Sequence, residues 1–173
     1  MKLLAMAVAA LGIGGVASAA GMLKAGDPFP AWSLVDQTGA KVSAADLTGK
    51  TYLLWFFPKA MTPGCTKEGC TLRDNFTGFQ KAGVEVLGVS FDQPADNAEF
   101  IKKYSFQFRL LSDSDHALAV AVGAADSATQ QWAHRISYLV GPDGKVIKAY
   151  PDVNPGKHAG EVLADLEKRS GGK

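Results

Sequence analysis

Thr51-Tyr52-Leu53-Leu54-Trp55-Phe56-Phe57-Pro58-Lys59-Ala60-Met61-Thr62-Pro63-Gly64-Cys65-Thr66-Lys67-Glu68-Gly69-Cys70 holds both cysteines of the chain. It begins as an unbroken apolar and aromatic run, and beyond it Leu72, Phe76 and Phe79 recur at helical spacing. That order predicts a buried strand, a turn and the start of a helix. Thr62 suits the N-cap, and Pro63 suits the first helical position, where an N–H would have no intrahelical partner. Gly64 and Cys65 then fall in the first turn. Free N–H groups and the positive end of the helix dipole favour a sulfur anion there, which makes Cys65 a candidate nucleophile.

Downstream, the helix is expected to run from Pro63 to about Lys81 and to stop at Gly83, before a second buried strand over residues 84–90. Two strands separated by a helix are expected to be parallel, joined by a right-handed crossover. Upstream, residues 31–36 alternate weakly like a strand, Gln37-Thr38-Gly39 turns the chain, and residues 43–46 suggest a short capped helical turn. The second half repeats the alternation: a helix over 94–104, a short strand over 108–111, a short helix over 115–122 and an aperiodic loop over 123–133. A hairpin is predicted from residues 135–140 and 145–150 around Gly141-Pro142-Asp143-Gly144, followed by an amphipathic helix over 154–169 with Val162, Leu163 and Leu166 on one face. The fold class is α/β, with a mixed strand order and no internal repeats.

A chain of 173 residues with 47% hydrophobic content suits one domain with a proper core. Met1-Lys2, an Ala- and Gly-rich apolar stretch and Ala17-Ser18-Ala19 read as a cleavable signal peptide over residues 1–20, cut after Ala19 or Ala20 and leaving a single domain over 21–173. The apolar stretch is marginal for a membrane span of roughly 20 residues, so no stable membrane association is expected. The mature chain is expected to be periplasmic or secreted. Lys2 is the only charged residue of the first twenty, so cleavage leaves 17 basic against 17 acidic side chains. That balance gives no electrostatic case for nucleic acid. His116, His134 and His158 have no ligand-like spacing and are expected on the surface or in loops, with no metal and no cofactor.

The pattern Pro58-x-x-x-Thr62-x-x-Cys65 resembles the active-site signature of the peroxiredoxins. Cys70 resembles the helix-borne resolving cysteine of their Q-type, bacterioferritin-comigratory-protein-like branch, and Arg135-Ile136-Ser137-Tyr138-Leu139 is similar to the family's arginine-bearing strand. The similarity spans about Ala25 to Lys168. It implies a thioredoxin-like fold, a central mixed β-sheet flanked by helices, and thiol-dependent peroxide reduction. By the same resemblance, the Cys65 thiolate attacks peroxide and becomes a sulfenic acid. The first-turn N–H groups, the Thr62 hydroxyl and Arg135 stabilise the displaced oxygen, Pro58 shields the sulfur, and Glu68 orients Arg135. Thr62 alone is equally consistent with a plain N-cap, Pro58 with a strand end, and Glu68 with a solvated acid at a helix start.

Five residues along a continuous helix place the Cα atoms of Cys65 and Cys70 roughly 8 to 9 Å apart, beyond the limit of about 7 Å for a disulfide. A bond between them is expected to require unwinding of residues 62–72 after Cys65 is oxidised, eased by Gly64 and Gly69. The partners implied are a peroxide and a thioredoxin-like or other dithiol reductant. An intrachain resolving cysteine removes the chemical need for a dimer, so a monomer is expected. The competing readings are an exported thiol–disulfide oxidoreductase, whose usual C-x-x-C spacing is absent, a permanent structural disulfide, and a non-catalytic binding or holdase protein.

Overall fold

The computed structural model describes residues 21–170; the expected signal peptide lies outside the described residues. Seven strands form one sheet: β1 (Ser33–Asp36), β2 (Lys41–Ser43), β3 (Thr51–Phe56), β4 (Val84–Ser90), β5 (Arg109–Ser112), β6 (Ser137–Val140) and β7 (Val146–Tyr150). Their spatial order is β2-β1-β5-β4-β3-β6-β7. β4 pairs parallel with both β3 and β5, and every other pairing is antiparallel. The helices are α1 (Pro63–Asp74), α2 (Phe76–Lys81), α3 (Pro94–Tyr104), α4 (Ala117–Ala121) and α5 (His158–Ser170), with a 3-10 turn over Ala44–Leu47.

β3 lies inside the sheet between β4 and β6, and its unbroken apolar run is explained by burial on both faces. Tyr52, Leu54 and Phe56 point into one core cluster with Leu118 of α4 and with Ala124, Ala125 and Ala133 of the 123–133 loop. Leu53, Trp55 and Phe57 point into the other, with Cys65 and Leu72 of α1, Phe79 of α2, Phe100 of α3 and Val162 of α5. Trp55 lies opposite Gly88 of β4. A Cβ at Gly88 would stand 3.0 Å from the Trp55 indole and would overlap Leu110, so the tryptophan occupies room its glycine neighbour leaves.

The mixed α/β architecture agrees with the reading of the sequence, and several boundaries differ. β2, only three residues long, is too short to register as a period and was not expected. The single helix expected over 63–81 is two helices. Asn75 ends α1 and begins α2, and its side-chain amide donates to the Thr71 carbonyl at 2.8 Å, competing with the helical ladder. α4 covers fewer residues than expected and α5 begins at His158. Arg135, expected as the first residue of a strand, precedes β6, although the Phe56 N–H still bonds the Ile136 carbonyl at 2.8 Å.

Gly69 has a packing reason of its own. A Cβ there would meet Phe106 at 2.5 Å, so α1 lies directly on that ring. Gly69→Ala is expected to destabilise the protein by about 1–3 kcal/mol through overpacking, measured by urea unfolding. Adding Phe106→Leu should recover most of the loss, and an unchanged midpoint in Gly69→Ala would contradict the close contact.

Candidate active site

β3 delivers the chain to a short loop, residues 57–62, that feeds the N-terminus of α1. Asp92, in the loop that leaves β4, holds this segment. It is 3% exposed and accepts the Ala60 N–H at 2.8 Å, while Lys59 Nζ lies 2.5 Å from its other oxygen. No motif marks Asp92 in the sequence; its one signal is its place just beyond the carboxyl end of a parallel strand, where open α/β sheets build their sites. Lys59 also lies over the Trp132 ring at 5.7 Å, so the 123–133 loop reaches the site through an exposed indole. Pro58 is half-buried beside Phe57, and Met61 turns the chain with a φ of +66°.

Thr62 takes the N-cap position with extended backbone, φ −76° and ψ 152°, and Pro63 begins the helix. Its hydroxyl makes no cap bond. It donates instead to the Lys59 carbonyl at 2.8 Å, which leaves its lone pairs free to accept; the expected donor role is corrected on this point. The Thr66 N–H bonds the Thr62 carbonyl at 2.8 Å, so the N–H groups of Gly64 and Cys65 are the ones without an intrahelical acceptor. Cys65 is buried at this point of the helix.

Arg135 is brought against Cys65 by the pairing of β6 with β3. Its Nη2 donates to Cys65 Sγ at 3.2 Å, and its Nη1 donates to Glu68 Oε2. Gly64 makes this approach possible, since a Cβ there would stand 3.0 Å from Nη2. Glu68, one turn beyond Cys65 on the same helix face, is 0% exposed, so the reading of a solvated first-turn acid is corrected. Burial pushes its pKa up to about 7 against the downward pull of Arg135.

His158 is the second correction: expected on the surface or in a loop, it is fully buried as the first residue of α5. Its Nε2 lies 3.9 Å from Glu68 Oε1, and Tyr150 meets its ring edge-on at a centroid distance of 5.3 Å. Burial, aided by Arg135, holds its pKa down to about 4, so at neutral pH it is an uncharged imidazole and no ion pair joins it to Glu68. The helical period of α5 does place it on the buried side, four residues before Val162, and that was the available signal. His116 stacks on Phe91 at 3.7 Å, and His134 is exposed. Cys70 is half-buried, on the same unbroken helix as Cys65, and both are free thiols.

Residues 25–149 match the family model described as AhpC/TSA. Peroxiredoxin Bcp of Escherichia coli K12 is 42% identical over 153 residues, covering 86% of this chain and 98% of that protein. Peroxidoxin BcpB of Mycobacterium tuberculosis superposes with a TM-score of 0.78 at 31% identity, over 84% of this chain and 97% of that one. The Xanthomonas campestris bacterioferritin comigratory protein, whose structures concern alkyl peroxide reduction, gives 0.76 at 30% identity over 86% and 98%. The chain therefore belongs to the AhpC/TSA family and is a peroxiredoxin of its Bcp/PrxQ branch, with the thioredoxin-like fold of that group.

The two shifted groups give opposite pH dependences. Glu68, raised from 4.5 to about 7, binds a proton more tightly when folded, so its share of stability is present at low pH and declines between about 4.5 and 7. His158, lowered from 6.5 to about 4, contributes above 6.5 and is lost as pH falls toward 4. Each amounts to at most about 3 to 4 kcal/mol, at roughly 1.4 kcal/mol per unit. Relative to wild type, Glu68→Gln should lose stability on acidification from pH 7.5 to 4.5, and His158→Phe should gain. Urea midpoints across that range check both, and parallel profiles for all three proteins would refute the opposition.

Proposed function

We propose that the protein reduces hydrogen peroxide and organic hydroperoxides through Cys65, with Cys70 as an intrachain resolving thiol. The observation that carries this reading is the guanidinium donor 3.2 Å from a sulfur seated at a helix start. Arg135 and the open N–H groups favour the thiolate, which is the nucleophile. Its attack on the terminal peroxide oxygen forms an S–O bond and breaks the O–O bond. The sulfur becomes a sulfenic acid, and the displaced alkoxide or hydroxide takes up a proton to leave as alcohol or water. Arg135 and the N–H groups of Gly64 and Cys65 are placed to offset the charge that develops on the departing oxygen. Thr62, its own proton engaged by Lys59, is suited to accept the peroxide O–H. On this reading Pro58 shields the sulfur from water, and Glu68, bonded to Nη1, aims Arg135.

Resolution follows when the Cys70 thiolate attacks the sulfur of the Cys65 sulfenic acid, forming the S–S bond and breaking the S–O bond to release hydroxide that is protonated to water. A thioredoxin-like or other dithiol then reduces the disulfide and is itself oxidised. Since α1 is continuous through both cysteines, residues 62–72 have to unwind for that bond to form. We read the protein as a monomer with no cofactor or metal. The alkyl peroxide reduction ascribed to the similar Xanthomonas protein supports the organic substrates, and the C-x-x-x-x-C spacing disfavours a general thiol–disulfide oxidoreductase.

In a peroxide-consumption assay with dithiothreitol or thioredoxin, Cys65→Ser should abolish turnover. Cys70→Ser should form the sulfenate at near wild-type rate and fail to form the intrachain disulfide, and amide exchange across 62–72 should rise on oxidation of the wild type alone. Turnover surviving in Cys65→Ser, or equal exchange in both redox states, would overturn the mechanism.

Export is proposed on the sequence of residues 1–20. Expression of the full chain in a Gram-negative host should give a periplasmic product beginning at Ala20 or Gly21, read by intact mass. Uncut protein in the cytoplasm would reject it.

A further inference from the structure

Glu68 and His158 meet in the buried interior between α1 and α5, and no sequence motif marks His158. Glu68 Oε2 is taken by Arg135, whereas Glu68 Oε1 is buried with no hydrogen-bond partner. His158 is fully buried, and both of its ring nitrogens are likewise without partners. Nε2 and Oε1 lie 3.9 Å apart. Buried polar atoms are normally satisfied, and leaving an acceptor and a potential donor side by side unpaired is costly. At 3.9 Å the two atoms are short of hydrogen-bond contact, and an approach of less than about 1 Å would let a single proton on Nε2 satisfy both, carried there by one of the two tautomers of the neutral imidazole.

From these contacts we infer that His158 is a positioning residue of the peroxide-reducing site, its Nε2–H holding Glu68 Oε1 so that Glu68 fixes the Arg135 guanidinium against Cys65. The inference rests on the peroxidase reading and extends its network by one residue. The chain of contacts runs from α5 through α1 to the reacting sulfur: His158 to Glu68, Glu68 to Arg135, Arg135 to Cys65. The groups that face His158 are Glu68 from α1, Arg135 from the segment before β6, and Tyr150 from β7, whose hydroxyl is turned away to Asp165 at 3.0 Å. Among these, Glu68 offers the one acceptor without a partner. Neighbouring contacts keep α5 in place. The Thr71 hydroxyl lies 3.0 Å from the Pro155 carbonyl, and Gly156 is packed so closely on Lys67 that a Cβ would stand 2.8 Å from it. The segment leading into α5 is therefore seated on the same turn of α1 that carries Glu68.

The two amide side chains separate a donor role from mere filling of space. Gln reaches the Nε2 position with its NH₂, Asn reaches only the Nδ1 position, and Phe fills the volume with no donor. The measurement is the single-turnover rate of Cys65 oxidation by hydrogen peroxide in the full-length protein, with the amplitude of the fast phase reading the folded fraction. His158→Gln should stay within about threefold of wild type. His158→Phe and His158→Asn should fall by about tenfold or more, and adding either to Glu68→Gln should cause no further loss, since the group being held has changed. Should His158→Phe not fold, the Asn and Gln pair decides alone. Wild-type rates in His158→Asn, or equal losses in the Asn and Gln variants, would overturn the inference. If the wild-type protein itself reacts with peroxide no faster than free cysteine, it is the peroxidase reading that fails.

Discussion

One guanidinium serves two acidic side chains, and the geometry of the molecule near α1 follows from it. Arg135 gives Nη2 to the Cys65 sulfur and Nη1 to Glu68, so its planar fork fixes the spacing between a reactive sulfur and a carboxyl group one helical turn away. Arginine suits this because its charge does not titrate and its donors hold fixed directions. A lysine would supply the charge at a point and could not bridge the two. The arrangement has a cost, because a carboxyl group is taken out of solvent to reach the cation. Burial pushes the Glu68 pKa up to about 7 even with Arg135 beside it.

The fold exists to bring three distant segments to that point. Cys65 and Glu68 come from the first turns of α1, Arg135 from the chain just ahead of β6, and His158 from the start of α5. They converge because β3 is paired to β6 on one side and β4 on the other, and because the face of β3 that carries Trp55 and Phe57 also receives α1 and α5. Two small residues permit the approach. Gly64 opens the helix surface to the guanidinium, and Gly88 opens the sheet to Trp55.

Much of this was legible in the sequence, and the reasons differ by residue. The strand, N-cap, proline and cysteine of 51–65 are local signals, each with its own chemistry, and they appear where they were read. Arg135 was legible through family resemblance alone, since nothing local marks it. The burial of Glu68 was not visible, because an acid near a helix start looks the same whether solvent or another helix lies opposite, and the period that puts His158 on the buried side of α5 does not say what it meets there. The break at Asn75 was hidden by an apolar period that continues across it, with Leu72, Phe76 and Phe79 all contributing to one cluster. The role of Asp92 is wholly tertiary, arising from contacts to Ala60 and Lys59 that lie more than thirty residues upstream.

The seating of Gly69 on Phe106 bears on the energetics of recycling. That ring belongs to an aromatic cluster, edge-to-face with Phe100 at a centroid distance of 4.9 Å and stacked on Phe108 at 5.1 Å, and the α1 backbone covers it. If the two sulfurs are joined as proposed, the helix has to open, and the packing lost in doing so weighs on the oxidised side of the redox balance. A bridge formed at that expense would have a less negative reduction potential than an unstrained one.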